Sequence, residues 1–217
     1  MKLNLPKNYL SYSAIHLWNE NKAVFRKRYY ENIKSPDTKY TLFGKTIEDE
    51  IYAGQYPAVP YWGGKQTELK FELNGSYSGK GIPLLGYLDS FDLDNKKFLD
   101  YKTGIKKPDN SDRWTKTDVQ KLEQLPFYSM LIEKIYGKVE PVCNLIWLET
   151  ELVKDTGLLQ REEKLRFNGN FHVFDRKIAK WERKRSADWA IQSAEEISQD
   201  YTEYLDNKAS AGALLSA

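Results

Sequence analysis

The residues best placed to do chemistry in this 217-residue chain are two acids and a lysine. The acid-x-Lys triplet is cheap in itself. It recurs nine times, starting at Glu20, Asp37, Glu68, Asp94, Asp100, Glu162, Asp175, Glu182 and Asp206, and most copies are surface charge. Asp100-Tyr101-Lys102 differs in its setting. It lies inside the apolar run Phe98-Leu99-Asp100-Tyr101-Lys102-Thr103, which reads as a strand, so Asp100 and Lys102 share one face and Leu99 and Tyr101 the other. Just upstream, Ile82–Asp92 reads as a second strand, joined through Leu93-Asp94-Asn95-Lys96, a run suited to a tight hairpin turn. A turn centred on Asp94-Asn95 pairs Asp89 with Asp100 and Tyr87 with Lys102. Opposed side chains have Cβ atoms about 4.5–5.5 Å apart, and like charges so placed repel. Two carboxylates facing each other are unfavourable unless a cation lies between them, and oxygen-only ligands favour Mg²⁺ or Mn²⁺. The competing reading is an asymmetric turn that leaves one acid merely solvated.

The elements that would position these groups follow from the apolar spacing. An N-terminal helix is expected over 13–30, capped by Ser11 or Ser13, with Ile15, Trp18, Val24 and Phe25 as a rough stripe. A second, Phe43–Ala53, carries Ile47-Glu48-Asp49-Glu50-Ile51, and a Gly/Pro/aromatic loop spans Gly54 to Gly64, with Trp62-Gly63-Gly64 as a turn. Thr67–Asn74, Ile82–Asp92 and Lys97–Thr103 read as strands. A helix is expected over 117–136, with Leu122, Leu125, Tyr128, Ile132 and Ile135 at helical spacing and Gly137 as its stop. Val139–Leu148 reads as a buried strand holding Cys143 in the core, and Phe171–Phe174 as another. One long helix is expected over 175–205, followed by a flexible tail, 208–217. This is one α/β domain over 1–207, with a central mixed sheet flanked by helices and a core at about 40–150.

Composition narrows the chemistry. One cysteine excludes a disulfide scaffold, a four-cysteine zinc site and a cysteine-ligated iron–sulfur cluster, and it suits a reducing cytoplasm. The two histidines, His16 and His172, lie far apart and read as structural. No apolar run approaches a membrane span, and Met1–Leu10 lacks a signal-peptide core. A formal net charge of +2 names no partner by itself.

Four motifs in order then resemble a known family: Gly44-Lys45-Thr46-Ile47-Glu48 on a helix, Gly86-Tyr87-Leu88-Asp89 on a strand, Asp100-Tyr101-Lys102-Thr103-Gly104 on the next strand, and Gln124-Leu125-Pro126-Phe127-Tyr128 on the following helix. The order is similar to that of the PD-(D/E)XK nuclease superfamily, within it the RecB-type exonuclease domains with their Gln-x-x-x-Tyr motif. Leu10-Ser11-Tyr12-Ser13 before an aromatic-rich helix resembles the start of those domains. The chain departs from the pattern at Glu48, where many members have histidine, and at Leu88, where many have proline. It also lacks the four cysteines of the CRISPR-associated branch.

The resemblance implies a restriction-endonuclease-like core. Glu48, Asp89, Asp100 and the Tyr101 carbonyl would hold one or two Mg²⁺ or Mn²⁺ ions. Lys102 would orient the attacking water and offset charge growing on the phosphorus. Gln124 and Tyr128, one turn apart, would brace the lysine or meet the DNA backbone. Taken alone, Glu48 sits in a solvated acidic trio and Tyr128 on a core stripe. The implied activity is metal-dependent DNA hydrolysis, an exonuclease of recombination, repair or phage DNA processing in a bacterial or phage-infected cytoplasm. Partners would be DNA and a recombinase, helicase or single-strand-binding protein, with no membrane. A structure- or site-specific endonuclease and a non-catalytic DNA-binding module are the alternatives. No Gly-x-x-x-x-Gly-Lys-Ser/Thr loop occurs, so ATP is not hydrolysed by that route.

Basic residues around these motifs are candidates for holding DNA. Lys106, Lys107 and Arg113 follow the Asp100–Lys102 strand, with Trp114 available to stack on a base. Arg176, Lys177, Lys180, Arg183, Lys184 and Arg185 face only Glu182 within 176–185, whereas 186–207 holds six acids and no base. Lys180, Arg183 and Lys184 could form one wall of a DNA groove; a solvated helix with charges set against its own dipole is the equal alternative.

Overall fold

Asp89 divides the molecule. In the computed structural model, which describes residues 3–63, 67–74, 81–137, 142–154 and 163–215, the predicted strand Ile82–Asp92 is two: β3 (Gly81–Leu88) and β4 (Ser90–Asp92). β3 lies in a three-stranded sheet between β1 (Leu10–Ser11), to which it is parallel, and β2 (Thr67–Asn74), to which it is antiparallel. β4 enters a second sheet of order β4-β5-β6-β7, with β5 Lys97–Gly104, β6 Val142–Lys154 and β7 Glu163–Lys177. The hairpin keeps the expected offset over Ser90↔Leu99, Phe91↔Phe98 and Asp92↔Lys97, but the ladder ends before the expected pair Asp89–Asp100. It stops at Ser90, so Tyr87 does not face Lys102: Tyr87 pairs with Glu68 on β2 and is exposed.

β5 and β6 are parallel and joined through helices, α4 (Lys116–Lys121) and α5 (Gln124–Tyr136). These central strands are buried on both faces, hence their near-continuous apolar runs. One face packs Phe98, Cys143, Leu145 and Trp147 against α1 (Tyr12–Glu20), α5 and α6 (Lys180–Leu215). The opposite face packs Leu99, Tyr101, Ile146 and Leu148 against Ile47 and Ile51 of α3 (Lys39–Tyr52). The mixed α/β architecture with flanking helices is as expected.

Several boundaries differ, each for a local reason. The helix expected over 13–30 breaks at Asn21 (φ −155°, ψ 89°), whose side chain caps a separate α2 (Lys22–Tyr29) by accepting from Val24 N–H. Ser11 caps α1. The helix expected over 117–136 breaks at Leu122, in extended conformation, and restarts at Gln124 with Pro126 in the first turn, where no helical N–H bond is lost. Gly137 ends α5 at φ 85°. Asp175–Lys177 belong to β7 rather than to the last helix. That helix runs on to Leu215, because Ala209, Ala211, Ala213 and Leu214 are strong helix formers, so the tail expected to be flexible is helical through Leu215. Gly64, the 139–141 start of the predicted strand, and 216–217 lie outside the described residues.

Candidate active site

β5 presents Asp100 and Lys102 toward α5, as period-2 alternation requires. Asp100 is almost wholly buried (side chain 4% exposed) and Lys102 is 27% exposed, with Lys102 Nζ 2.7 Å from Asp100 Oδ2. The first turn of α5 meets the same ammonium. Lys102 Nζ donates to Gln124 Oε1 at 3.1 Å, and Gln124 Nε2 donates to Tyr128 Oη at 2.9 Å. The i, i+4 spacing on one helix face thus closes a chain, Tyr128–Gln124–Lys102–Asp100. Gly86 permits it: a Cβ there would stand 2.9 Å from Leu131 Cδ1 and 3.2 Å from the Tyr128 ring.

Asp89, at the break between the sheets, arrives from the other side. Its Oδ2 accepts the Tyr101 N–H at 2.7 Å, taking the place of the ladder bond that ended at Ser90, while its carbonyl accepts from Tyr52 Oη at 2.9 Å. Burial, then the charges of Asp100 and Glu48, push the Asp89 carboxyl well above the usual carboxylate range, against the Tyr101 N–H and Lys102. For Lys102, burial favours the neutral amine, but Asp100, then Asp89 and Glu48, outweigh it and raise its pKa. Lys102 is a cation here and not a base. Burial and Asp100 likewise hold the Tyr128 hydroxyl in its neutral form.

Three acids therefore share one electrostatic field around a single ammonium. Asp100 Oδ2 is buried without a well-directed hydrogen bond, despite its 2.7 Å contact with Lys102. A buried carboxylate oxygen whose contact is an ammonium, beside a carboxyl burdened by its neighbours, fits an oxygen-seeking divalent ion in donor type and charge. Among the described residues no three acid, histidine or cysteine side chains close into a ready cage, and Lys102 supplies the counter-charge instead.

The basic candidates separate into two places. Lys106, Lys107 and Arg113 gather past the end of β5: Arg113 lays its stem over Gly104, where a Cβ would stand 3.1 Å from Arg113 Cγ, and Lys106 Nζ is 3.7 Å from Glu149 Oε2. Trp114 packs against the core rather than standing free. Lys180 and Lys184 lie instead beside Glu133 and Lys134, at the far end of α5 from Gln124. Arg183 is not available to DNA. Its side chain is buried, its Nε donates to Glu133 Oε2 at 2.8 Å, and it also donates to the Ile178 carbonyl. The basic helix start reads equally as a groove wall or a solvated face, but α6 turns Arg183 inward onto α5.

Sequence reasoning overlooked three supporting residues. Tyr52 stands one turn past Glu48 on α3, a spacing that could have linked it to the site. Trp147 is the cross-strand neighbour of Lys102 and donates Nε1–H to the Gly104 carbonyl at 3.1 Å, with His172 stacked on it at 4.6 Å. Arg176, expected to be surface charge, is fully buried; it donates to the Val119 and Leu122 carbonyls at 2.7 and 2.8 Å and to Glu182 at 2.5 Å. It thereby adds a second donor to two carbonyls at the α4–α5 break, just before Gln124.

No family model matches the chain, and no curated protein is similar enough to count as a relative. Solved structures do match. A phage-related exonuclease from Haemophilus somnus aligns with a TM-score of 0.54 at 12% identity, over 90% of this chain and 82% of its own. An exonuclease-named protein from Eubacterium rectale aligns with a TM-score of 0.52 at 11% identity, over the same shares. At such identities the likeness is one of fold, and the fold of this chain is that α/β architecture.

Proposed function

We propose that this protein is a divalent-metal-dependent DNA nuclease, and that it acts as an exonuclease. The observation that carries the reading is the chain Tyr128–Gln124–Lys102–Asp100 facing the destabilised carboxyl of Asp89. A fold that only stored stability gains nothing from crowding three acids round one half-buried lysine. The names of the two structural neighbours support the exonuclease choice.

Glu48, Asp89, Asp100 and the Tyr101 carbonyl are the oxygens that would hold Mg²⁺ or Mn²⁺, which when bound polarises a phosphodiester and lowers the pKa of a water. Lys102, kept charged by Asp100, stands ready to steady negative charge that grows on the phosphorus in the transition state. Gln124 holds the ammonium in line, and Tyr128 holds Gln124, so little reorganisation is needed at the moment of reaction. Lys106, Lys107 and Arg113, past the end of the same strand, would take the flanking phosphates. Work beside a recombinase, helicase or single-strand-binding protein in a bacterial or phage-infected cytoplasm belongs to the same reading.

The test is digestion of end-labelled linear and covalently closed circular DNA with Mg²⁺, Mn²⁺ or EDTA. Release of nucleotides or short oligomers from linear DNA, metal-dependent and with circles intact, is expected. Nicking of circles at comparable rates would move the reading to an endonuclease, and binding without cleavage under every condition would refute the enzyme.

A further inference from the structure

Where α6 begins, a groove of about 950 Å³ runs between its first turns and the C-terminal half of α5. Its floor is apolar (Leu73, Met130 and Ile191) and its rim carries Lys134, Lys180 and Lys184. Trp181 stands on this rim, 62% exposed, the most exposed large apolar side chain among the described residues. The Arg185 guanidinium lies 5.0 Å from the Trp181 ring centre and is itself tethered to Glu123 at 2.6 Å. The indole is thus backed by a cation while remaining open to solvent.

The groove's charges sort simply. Glu133 and Arg183 cancel one another, which leaves three lysines, none with an ion pair or hydrogen bond among the described residues, against Asp188. Gln124 and Glu133 are nine residues apart on α5, roughly 14 Å along the axis at 1.5 Å per residue. The groove is therefore a separate place from the site around Lys102.

We propose that this groove binds single-stranded nucleic acid, with a base stacked on Trp181 and phosphates on Lys134, Lys180 and Lys184. An aromatic face set among unspent lysines matches a strand that offers a base face and a phosphate at each step. Duplex bases are already stacked on one another, so the ring selects the single strand. The site is independent of Lys102 chemistry. Only the source of the strand, the one left when its complement is digested, rests on the nuclease reading.

The experiment is fluorescence anisotropy of labelled dT₁₂ with the full chain in EDTA, across salt concentrations. Trp181→Ala, which alters an exposed side chain and should leave the melting temperature unchanged, is expected to weaken binding about tenfold. Trp181→Phe should recover most of it. Lys180→Ala/Lys184→Ala should flatten the salt dependence by about 0.7 per lost phosphate contact. Cleavage of a short duplex at saturation should be unaffected by Trp181→Ala. Binding within twofold of wild type in Trp181→Ala would overturn the proposal. Displacement of dT₁₂ by a polyglutamate peptide as readily as by unlabelled dT₁₂ would also overturn it, reassigning the groove to an acidic protein. A wild-type chain that cleaves no DNA but loses dT₁₂ binding with Trp181→Ala would refute the nuclease reading and support the groove.

Discussion

At Lys102 the protein holds the charged form that burial opposes, whereas at Asp89 burial and neighbouring acids favour the proton. The Asp89 carboxyl is raised by its surroundings, so the folded state binds its proton more tightly than the unfolded chain, whose value is about 3.9. Stability is therefore lost as pH rises from that value through the folded pKa, and the full cost persists above it. Asp89→Asn keeps an oxygen for the Tyr101 N–H while removing the charge. In EDTA it should melt at a higher temperature than wild type at about pH 7–8, with the gain fading to nothing near pH 4; thermal melts across pH measure this, and a lower melting temperature at neutral pH would contradict it. Divalent metal should reverse the order. Mg²⁺ or Mn²⁺ is expected to raise the melting temperature of wild type, since a ligand bound only by the folded state stabilises it by about 2.7 kcal/mol at a hundred times its Kd. Asp89→Asn and Asp100→Asn should each lose that shift, and an unchanged response in both would rule out a shared metal site.

Positioning at the level of elements depends on two contacts. Gly86 lets Tyr128 and Leu131 lie on β3, so Gly86→Ala should cost about 1–3 kcal/mol in denaturant melts through overpacking and should loosen the Gln124–Lys102 contact. Arg176 bridges the α4–α5 break, and Arg176→Met leaves the buried Glu182 carboxylate with the Ala179 N–H but without a counter-charge, an expected loss of about 3–5 kcal/mol. The strands β2 and β5, the offset of the hairpin next to its turn and the placing of Asp100 and Lys102 on one face were legible in the sequence because period-2 alternation and the Asp94-Asn95 turn are local signals. The break at Asp89 was not legible. It depends on β3 pairing with β2 and β1, long-range contacts that no window around Asp89 contains. The same holds for Arg176 and Arg183, whose basic neighbours suggest a surface and whose burial is decided by α5 packing beneath them. Gln124 and Tyr128 could be read from helical spacing, but that Gln124 touches Lys102 depends on the break at Leu122 that separates α4 from α5.

For the whole molecule, a net charge of +2 gives little general attraction to a polyanion, so the proposed DNA binding would rest on local clusters. Replacing Lys106, Lys107 and Arg113 together should lower the slope of log binding constant against log salt by roughly 0.9 per lost duplex phosphate contact. The thermal melt of the fold should be nearly unaffected, and an unchanged slope would remove these residues from the DNA path. No helix among the described residues is long and apolar enough to cross a membrane. The proposed role of Lys102, held by Asp100 and Gln124, lies in the transition state rather than in binding. It is tested most directly by single-turnover cleavage of linear DNA by Lys102→Ala beside its DNA affinity in Ca²⁺. The account predicts a rate lower by about 10²–10³-fold, or about 3–4 kcal/mol, with affinity changed by less than about 1 kcal/mol. A variant that cleaves as fast as wild type, or that loses affinity and rate in equal measure, would contradict it.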